Sequence, residues 1–379
     1  MEVLDSQFRT SSGGIMTKRL EEEFAKRFHT KYAISFINGT ATMHAALAAA
    51  GVGLGDEVIV PPLTMASTSF AVIHCGATPV FADIDPDTWT VDPASVEERI
   101  SPRTKAIIPV ALYGLLPDLD PLMDLAGEHG LFVLEDDAQC FLGYYRGRMG
   151  GSIGHAASFS FQSSKHLTSG EGGMVTTSDP DLATRIRRVS SLGYAAVEGG
   201  AGRGKITKET IQDPNYERHV CIGWNYRMPE LCAAVALGQV ERIEELVGMR
   251  QKVARLYDEV MEECDWLVPQ SVPGDRIHSY WSYVARIDGT SVSWHDFRRK
   301  FVELGGDGIY AAWKLTYLEP AFRDRLISPH QRQNYSKGLC RNAEAVQPRL
   351  LQFKTNYLDL EQAAQIMDAL SRTIRDLGG

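Results

Sequence analysis

Short apolar runs alternate with amphipathic stretches along the first third of the chain. Apolar runs typical of buried strands cover residues 32–37, 57–60, 79–84, 105–110 and 131–135. Apolar residues between these runs recur at helical spacing: Leu20, Phe24 and Phe28 mark one face of a helix predicted over residues 17–28. Further helices are predicted from Thr40 onward, over 64–75 and over 119–129. This alternation is typical of parallel βαβ units, so we predict an α/β fold with a mostly parallel sheet.

The alternation stops after Asp136, where two strand-like runs follow each other without an intervening helix. Residues 156–161 and 173–177 form these runs, and the short segment 163–172 links them. Because a loop rather than a helix joins them, we predict two further strands that complete the same sheet.

The second half of the chain has a different pattern. Residues 194–215 are rich in glycine and charge and are predicted to form a mobile loop. One long helix is predicted over 229–257, as a bridge to a second domain. From about Cys264, a strand over 280–287 and a final helix over 360–377 indicate a smaller α+β unit.

These patterns predict two domains in the 379 residues. We expect a large α/β domain over residues 12–245 and a small C-terminal α+β domain over residues 246–379. The N-terminal segment, residues 1–11, is expected to pack on the large domain or on a second subunit.

Composition and charge exclude several classes of protein. Hydrophobic residues make up 44% and charged residues 23%, which is ordinary for a globular chain. The net charge is −9 and the basic residues form no run, so no surface for nucleic acid is expected. No apolar run approaches the roughly 18 residues that cross a bilayer, so no membrane segment is expected.

The expected compartment follows from the N-terminus and the cysteines. The first residues lack a basic segment followed by an apolar one, so we expect neither a signal peptide nor a membrane anchor. The six cysteines are scattered and form no C-x-x-C pair. We therefore predict a reduced cytoplasmic protein with buried free thiols.

Several motifs that carry chemistry in other proteins are absent from this chain or out of context. Gly51, Gly53 and Gly55 follow a predicted helix and precede a predicted strand, the reverse of the dinucleotide-binding order, so a helix end and turn is the better interpretation. The histidines show no spacing typical of metal ligands, and no G-x-S-x-G is present. No metal site is predicted.

One constellation combines an acidic group with a lysine. Glu135-Asp136-Asp137 lies at the end of a predicted parallel strand, where α/β proteins bind ligands. Lys165 lies in a turn between a predicted strand and the glycine-rich run 170–173. A lone loop lysine is more often a solvated surface residue, and only the acid at the strand end changes that interpretation. Together the two types fit pyridoxal phosphate chemistry, in which an amine condenses with the aldehyde and a carboxylate keeps the ring nitrogen protonated.

A phosphate group would need a helix N-terminus with free N–H groups. Asn38-Gly39-Thr40 opens the helix predicted from Thr40, with Gly39 allowing close approach and the Thr40 hydroxyl as an extra donor. Ordinary N-capping by Asn38 or Thr40 would use the same atoms. The sequence leaves both interpretations open.

The chain resembles the DegT/DnrJ/EryC1/StrS family of sugar aminotransferases, a branch of the fold-type I pyridoxal phosphate enzymes, over nearly its whole length. The matching motifs occur in the family's order at 39–41, 55–61, 79–84, 135–139, 158–165, 170–173 and 223–228. Each motif alone is weak evidence for the family, whereas the whole set in this order is highly specific for it. The resemblance implies a fold-type I architecture with pyridoxal 5′-phosphate as the cofactor.

The resemblance also implies roles for individual residues. Lys165 would form the covalent link to the cofactor, and Asp136 would pair with the ring nitrogen. Gln139 would bond the ring hydroxyl, while Asn225 would reach the phosphate in a neighbouring subunit. The phosphate in its own subunit would be held by Gly39, Thr40, Ala41 and Ser160.

The resemblance also implies how the subunits assemble, and the chain departs from the family pattern at Met65 and in residues 308–317. Because family active sites lie at a subunit interface, a homodimer with shared sites is expected. Arg227 would border the mouth. Met65 occupies the position where many members carry an aromatic ring stacked on the cofactor, and a thioether packs on such a ring more loosely. Residues 308–317 lack the short His-containing run that members often carry there.

The expected activity is transfer of an amino group from glutamate or glutamine to a ketone of a nucleotide-linked keto-deoxysugar or of a cyclitol, by a ping-pong mechanism. A dehydratase of the same family is one alternative, although members with that chemistry carry His where this chain has Lys165. A non-catalytic regulatory homologue is the other alternative, although none of Lys165, Asp136 and Gln139 is missing.

Overall fold

The computed structural model describes residues 2–5, 14–200, 206–324 and 335–378. Its strands are β1 Tyr32–Phe36, β2 Glu57–Val60, β3 Thr78–Phe81, β4 Thr104–Ile107, β5 Phe132–Asp136, β6 Tyr144–Tyr145, β7 Arg148–Met149, β8 Ala156–Ser160, β9 Gly173–Thr177, β10 Leu267–Pro269, β11 Arg276–Ile277, β12 Ser282–Ile287, β13 Tyr310–Ala311 and β14 Leu350–Lys354.

The α-helices surround these strands. They are α1 Glu2–Asp5, α2 Ile15–Arg27, α3 Gly39–Ala49, α4 Ser67–His74, α5 Pro93–Glu97, α6 Leu119–His129, α7 Pro180–Ser190, α8 Lys208–Gln212, α9 Glu230–Val240, α10 Ile243–Met261, α11 Trp294–Glu303, α12 Pro320–Arg323, α13 Arg341–Val346 and α14 Leu360–Gly378.

A seven-stranded sheet organises the first half of the chain, in the order β1-β9-β8-β5-β4-β2-β3. Strands β3, β2, β4, β5 and β8 are parallel neighbours, and β9 runs antiparallel to both β8 and β1. The predicted α/β fold with a mostly parallel sheet is confirmed. The carboxyl ends of its parallel strands share one edge, which places Asp136 there.

The sheet separates two apolar clusters. Along β1, Ala33 packs in a cluster with α2 and α9, whereas its neighbour Ile34 packs in a cluster with α3, α4 and α7. Alternate residues of a strand point to opposite faces, so helices cover both sides of the sheet. This is the layered packing that the alternating sequence pattern predicts.

A second, four-stranded antiparallel sheet has the order β10-β12-β14-β13. It packs with α10, α11 and α14 around a separate apolar cluster. Helix α10 joins the two halves of the molecule: Val247 belongs to the cluster of α2 and α9, and Val253 belongs to the cluster of the four-stranded sheet. The predicted domain division at 245/246 falls inside this helix and stays a prediction.

Three sequence predictions need correction. The helix predicted over 229–257 is two helices, because the chain tightens after Val240: the N–H of Arg242 donates to the carbonyl of Gln239, three residues back. The helix predicted over 64–75 begins at Ser67, which leaves Thr64 and Met65 in a loop. The segment 194–215 is not all loop, because Thr207 caps helix α8, although residues 201–205 lie outside the described part.

The cysteines also differ from the prediction. All six thiols are free, but only Cys140 and Cys340 are buried, and Cys221 is exposed.

Of the N-terminal segment, Glu2–Asp5 is described, and Val3 belongs to the cluster of α2 and α9. Residues 6–13 lie outside the described part. Among the described helices, none is long and apolar enough to cross a membrane.

Candidate active site

A cavity of about 550 Å³ lies where the carboxyl edge of the seven-stranded sheet faces the four-stranded sheet. The sequence-predicted residues that line it are Gly39, Thr40, Met65, Asp136, Gln139, Ser160 and Lys165. They come from α3, β5, β8 and the loops after β2, β5 and β8. The fold therefore brings together residues up to 126 positions apart.

Asp136 is held as a buried carboxylate at the end of β5. Its Oδ2 accepts from the Thr68 hydroxyl at 2.7 Å, and its Oδ1 accepts from the N–H of Ala138 at 3.3 Å. Burial raises the pKa of Asp136, whereas these two hydrogen bonds and the charge of Lys165 oppose that rise. The site thus contains a fixed acid that can face a positively charged ring nitrogen.

Lys165 supplies an amine whose charge is easily lost. Burial lowers the pKa of Lys165 to about 8, the attraction of Asp136 opposes this, and the nearby Arg250 cation adds to it. Its Nζ lies 4.5 Å from the centre of the Trp281 ring. A lysine with a lowered pKa is a better nucleophile and proton carrier near neutral pH.

The Gln139 side chain is oriented by the backbone of Tyr113. The N–H of Tyr113 donates to Gln139 Oε1 at 2.8 Å, which leaves Nε2 as the hydrogen-bond donor of this amide. Tyr113 has φ of +61°, in the left-handed region that non-glycine residues rarely adopt. This backbone cost is consistent with a residue that holds a site in place.

The start of α3 forms a close cradle with the end of β8. A Cβ on Gly39 would lie 2.8 Å from Ser160 Cβ, so only glycine lets the two backbones approach this closely. The N–H groups of Gly39 and Thr40 open the helix and donate to no acceptor among the described residues. A helix N-terminus with free N–H groups beside a serine hydroxyl is suited to a phosphate.

Two predicted residues are not in the cavity wall. The N–H of Ala41 donates to Asn38 Oδ1 at 2.8 Å, so the capping interpretation of Asn38 is the one observed. Asn225 is exposed and pairs with Ser191 outside the cavity. Met65 lies at the wall with its side chain 51% exposed. Their roles toward a cofactor stay predictions.

Sequence reasoning missed several residues of the site. The hydroxyl of Thr68, in α4, donates a hydrogen bond to Asp136, and no local pattern in the sequence indicates this role. Trp281, directly before β12, and Gln352, in β14, line the cavity opposite the sequence-predicted residues. Tyr113, Trp313 and Trp281 form a stack of rings, with centroids 6.4 and 5.7 Å apart. The predicted border residue Arg227 is not part of this cavity wall.

A second cavity of about 460 Å³ continues past Trp281 and Gln352. It is lined by polar residues of the four-stranded sheet and its loops, among them Asp307, Lys354 and Asn356. Within the described ranges, no cluster of His, Cys, Asp and Glu is arranged to hold a metal ion.

The fold and the lysine–aspartate pair define the class of protein, and comparisons with known proteins agree. The DegT/DnrJ/EryC1/StrS aminotransferase family matches residues 1–371. GDP-perosamine synthase of Caulobacter vibrioides is 39% identical over 289 residues, covering 76% of this chain and 73% of that protein. A Streptoalloteichus tenebrarius protein is 35% identical over 334 residues, which cover 86% of this chain and 76% of that protein. Its provisional name is L-glutamine:3-amino-2,3-dideoxy-scyllo-inosose aminotransferase.

The solved structure of the aminotransferase from Psychrobacter cryohalolentis superposes with a TM-score of 0.87 and 31% identity, covering 100% of this chain and 96% of that chain. The protein belongs to the DegT/DnrJ/EryC1/StrS aminotransferase family. It is a sugar aminotransferase with the fold of pyridoxal phosphate-dependent enzymes. The family implies pyridoxal phosphate as the cofactor, and the Gly39–Ser160 cradle, Gln139, Asp136 and Lys165 fit that group.

Proposed function

We propose that this protein uses pyridoxal 5′-phosphate to move an amino group from glutamate or glutamine to a ketone on a nucleotide-linked keto-deoxysugar or a cyclitol, by a ping-pong mechanism. The observation that carries the proposal is the pairing of two groups in one cavity. Lys165 has an amine with a lowered pKa, and Asp136 is a buried carboxylate held by two hydrogen bonds. This is the pair of groups that the chemistry requires.

When bound, pyridoxal phosphate supplies an aldehyde that carries the amino group and a ring that takes up electrons from the donor α-carbon. Lys165 Nζ would hold the cofactor through a covalent bond and would be free to act on the donor once the donor amine takes its place. The Lys165 amine would take the proton from the donor α-carbon as general base and would then give it up as general acid. A pKa near 8 serves both steps, because both protonation states are populated near neutral pH.

The other residues of the site are proposed to bind the cofactor and to orient it. Asp136 keeps a proton on the ring nitrogen through its negative charge, which acts strongly because the site is buried. Gln139 Nε2 donates to the ring hydroxyl. The N–H groups of Gly39 and Thr40 and the Ser160 hydroxyl hold the phosphate.

We propose that the enzyme is a homodimer with shared active sites. Support comes from exposed apolar side chains: Met65 is 51%, Val220 50% and Ile222 83% exposed. Val220 and Ile222 lie two positions apart in the chain, and exposed apolar residues that cluster are typical of protein interfaces. Asn225 is exposed and lies close to Val220 and Ile222 in the sequence, and its proposed role is to bind the phosphate of the neighbouring subunit. The six free thiols fit the reducing cytoplasm.

The acceptor is proposed from the two kinds of relative. GDP-perosamine synthase is named for a nucleotide-linked sugar, and the Streptoalloteichus tenebrarius protein is named for an inosose, a cyclitol ketone. The stacked rings of Trp313 and Trp281 offer flat apolar faces in the cavity wall, and Gln352 and Tyr310 add hydrogen-bonding groups. Both acceptor classes carry hydroxylated rings that such a wall can bind.

The first experiment is the visible absorption spectrum of the purified protein, followed by borohydride reduction and peptide mass spectrometry. We expect a yellow band that glutamate or glutamine bleaches, and a phosphopyridoxyl group on Lys165. Screening of keto-sugar nucleotides and cyclitol ketones would then identify the acceptor. A colourless protein that takes up no added cofactor would contradict the proposal.

A further inference from the structure

Arg250 is a buried cation without a carboxylate partner among the described residues. Its residue is 5% exposed, and burial lowers the pKa of Arg250 to about 10. It lies on α10 between Val247 and Val253, at the point where this helix passes from one apolar cluster to the next. A buried charge is costly unless its donors are satisfied, so the contacts of this side chain need an explanation.

The Arg250 guanidinium donates to three backbone carbonyls and one hydroxyl, which lie on both sides of the active site. Nη2 donates to the carbonyl of Lys165 at 2.9 Å and to that of Ser164 at 3.4 Å. Nη1 donates to the carbonyl of Trp281 at 2.8 Å and to the Thr355 hydroxyl at 3.0 Å. One planar group therefore joins the loop that carries the lysine to the four-stranded sheet.

Trp281 completes the same connection. Its indole Nε1 donates to the carbonyl of Ser164 at 2.8 Å, and its ring lies 4.5 Å from Lys165 Nζ. Arg250 thus binds the backbone carbonyl of Lys165, and the Lys165 amine lies against the indole ring of Trp281. Arg250 also binds the backbone carbonyl of Trp281. The fork geometry of arginine suits this set of acceptors, and a lysine ammonium could not reach all of them.

We propose that Arg250 is the positioning residue of Lys165: it holds the lysine loop against the four-stranded sheet, so that the lysine amine keeps its place in the cavity. This inference rests on the proposed role of Lys165 in binding the cofactor. Arg250 lines the second cavity but not the cavity that contains Lys165 and Asp136, and its proposed action is through Lys165.

The positive charge of Arg250 also acts on Lys165, because it adds to the lowering of the pKa of this lysine. A second cation close to a lysine favours the neutral amine. The other charged or titratable groups that act with Lys165 are Asp136, which opposes this effect, and His166. Burial lowers the pKa of His166 well below its usual range, so this ring stays neutral near neutral pH.

The test compares two buried arginines in the full-length protein. Arg187 is equally buried, at 5% exposed, but pairs with Glu21 at 2.8 Å. For Arg250→Lys we expect kcat to fall by about 10- to 100-fold, because small displacements of a reacting group have effects of this size, while the donor KM changes less than about twofold. For Arg187→Lys we expect a lower Tm and an unchanged kcat.

A second readout needs no cofactor. In the apoprotein, the rate at which acetic anhydride labels Lys165 is followed against pH by peptide mass spectrometry. The midpoint for the unsubstituted protein is expected near 8. Arg250→Gln removes the charge and should move the midpoint upward, toward the ordinary lysine value of 10.5, whereas Arg250→Lys keeps the charge and should leave it unchanged.

Thr355→Val provides a milder test if Arg250→Gln does not fold. It removes one acceptor of Nη1, and we expect kcat to fall several-fold with an unchanged labelling midpoint. The proposal is overturned if Arg250→Lys and Arg187→Lys lose the same Tm and both keep the original kcat. It is also overturned if Arg250→Gln folds and keeps the original kcat. Failure of borohydride to trap cofactor on Lys165 would instead overturn the proposed function, because the labelling experiment does not depend on it.

Discussion

The two walls of the active-site cavity are built differently. On the wall from the seven-stranded sheet, Asp136 and Gln139 are buried polar side chains, 4% and 2% exposed, and each is fixed by hydrogen bonds. On the wall from the four-stranded sheet, the residues are mostly aromatic, and Tyr310 is 71% exposed. The first wall is suited to one fixed chemistry, and the second to selecting among ring-shaped acceptors.

The walls meet at a strained piece of backbone. Tyr113 and Tyr280 both have positive φ, at +61° and +51°. A Cβ on the intervening Gly114 would lie 2.6 Å from the backbone nitrogen of Tyr280, and the N–H of Ser279 donates to the Gly114 carbonyl at 2.9 Å. The close approach at Gly114 therefore sets how the aromatic wall faces Gln139.

Lys165→Ala should have the largest effect, on the first wall. We expect no measurable transamination, because both cofactor attachment and the proton transfer need this amine. Circular dichroism and Tm should remain close to those of the unsubstituted protein. Lys105→Ala, at an exposed position in β4, is the control and should keep full activity. Transamination retained in Lys165→Ala would remove this lysine from the mechanism.

Asp136→Asn should lower kcat by about 100-fold, because the charge is lost while the shape is kept. Asp137→Asn is the matched control. Burial and the neighbouring Glu135 and Asp136 raise the pKa of Asp137 well above its usual range, and its carboxyl oxygens accept no hydrogen bond from the described residues. We expect its substitution to leave kcat within about twofold of the original. Equal losses in the two variants would show that no special role belongs to Asp136.

Gly39→Ala should weaken cofactor binding by about tenfold, since the added methyl group overpacks against Ser160. The measurement is the titration of apoprotein with pyridoxal phosphate. Adding Ser160→Gly should relieve the clash without restoring the serine hydroxyl, so part of the affinity should return. Gly127→Ala, with nothing within 4 Å of the added Cβ, is the control and should bind normally.

Trp313→Ala should have the smallest effect and should separate the two walls. We expect the acceptor KM to rise by several-fold up to about tenfold, because a stacked ring face is lost. The rate at which the donor bleaches the yellow band should not change. A donor half-reaction slowed as much as the acceptor half-reaction would show that the aromatic wall serves both steps.

Part of the site was predictable because local motifs carry it. Asp136 follows a strand-like run, Lys165 precedes a glycine-rich turn and Gly39 opens a helix, so each has a recognisable neighbourhood in the sequence. Thr68 had none, because its role depends only on where α4 lies beside β5. Arg250 did leave a signal: it falls on the apolar stripe of α10 with Val247 and Tyr257, where a charged residue is out of place.

The sequence by itself determined the order of strands and helices, the parallel character of the main sheet and the family motifs, because these follow from local periodicity and short-range spacing. Only the tertiary structure decided that the bridge is two helices, that the aromatic wall of Trp281 and Trp313 faces Asp136, and that Arg250 binds the carbonyl of Lys165. These contacts join residues far apart in the chain, and their geometry depends on how whole elements pack rather than on any local pattern.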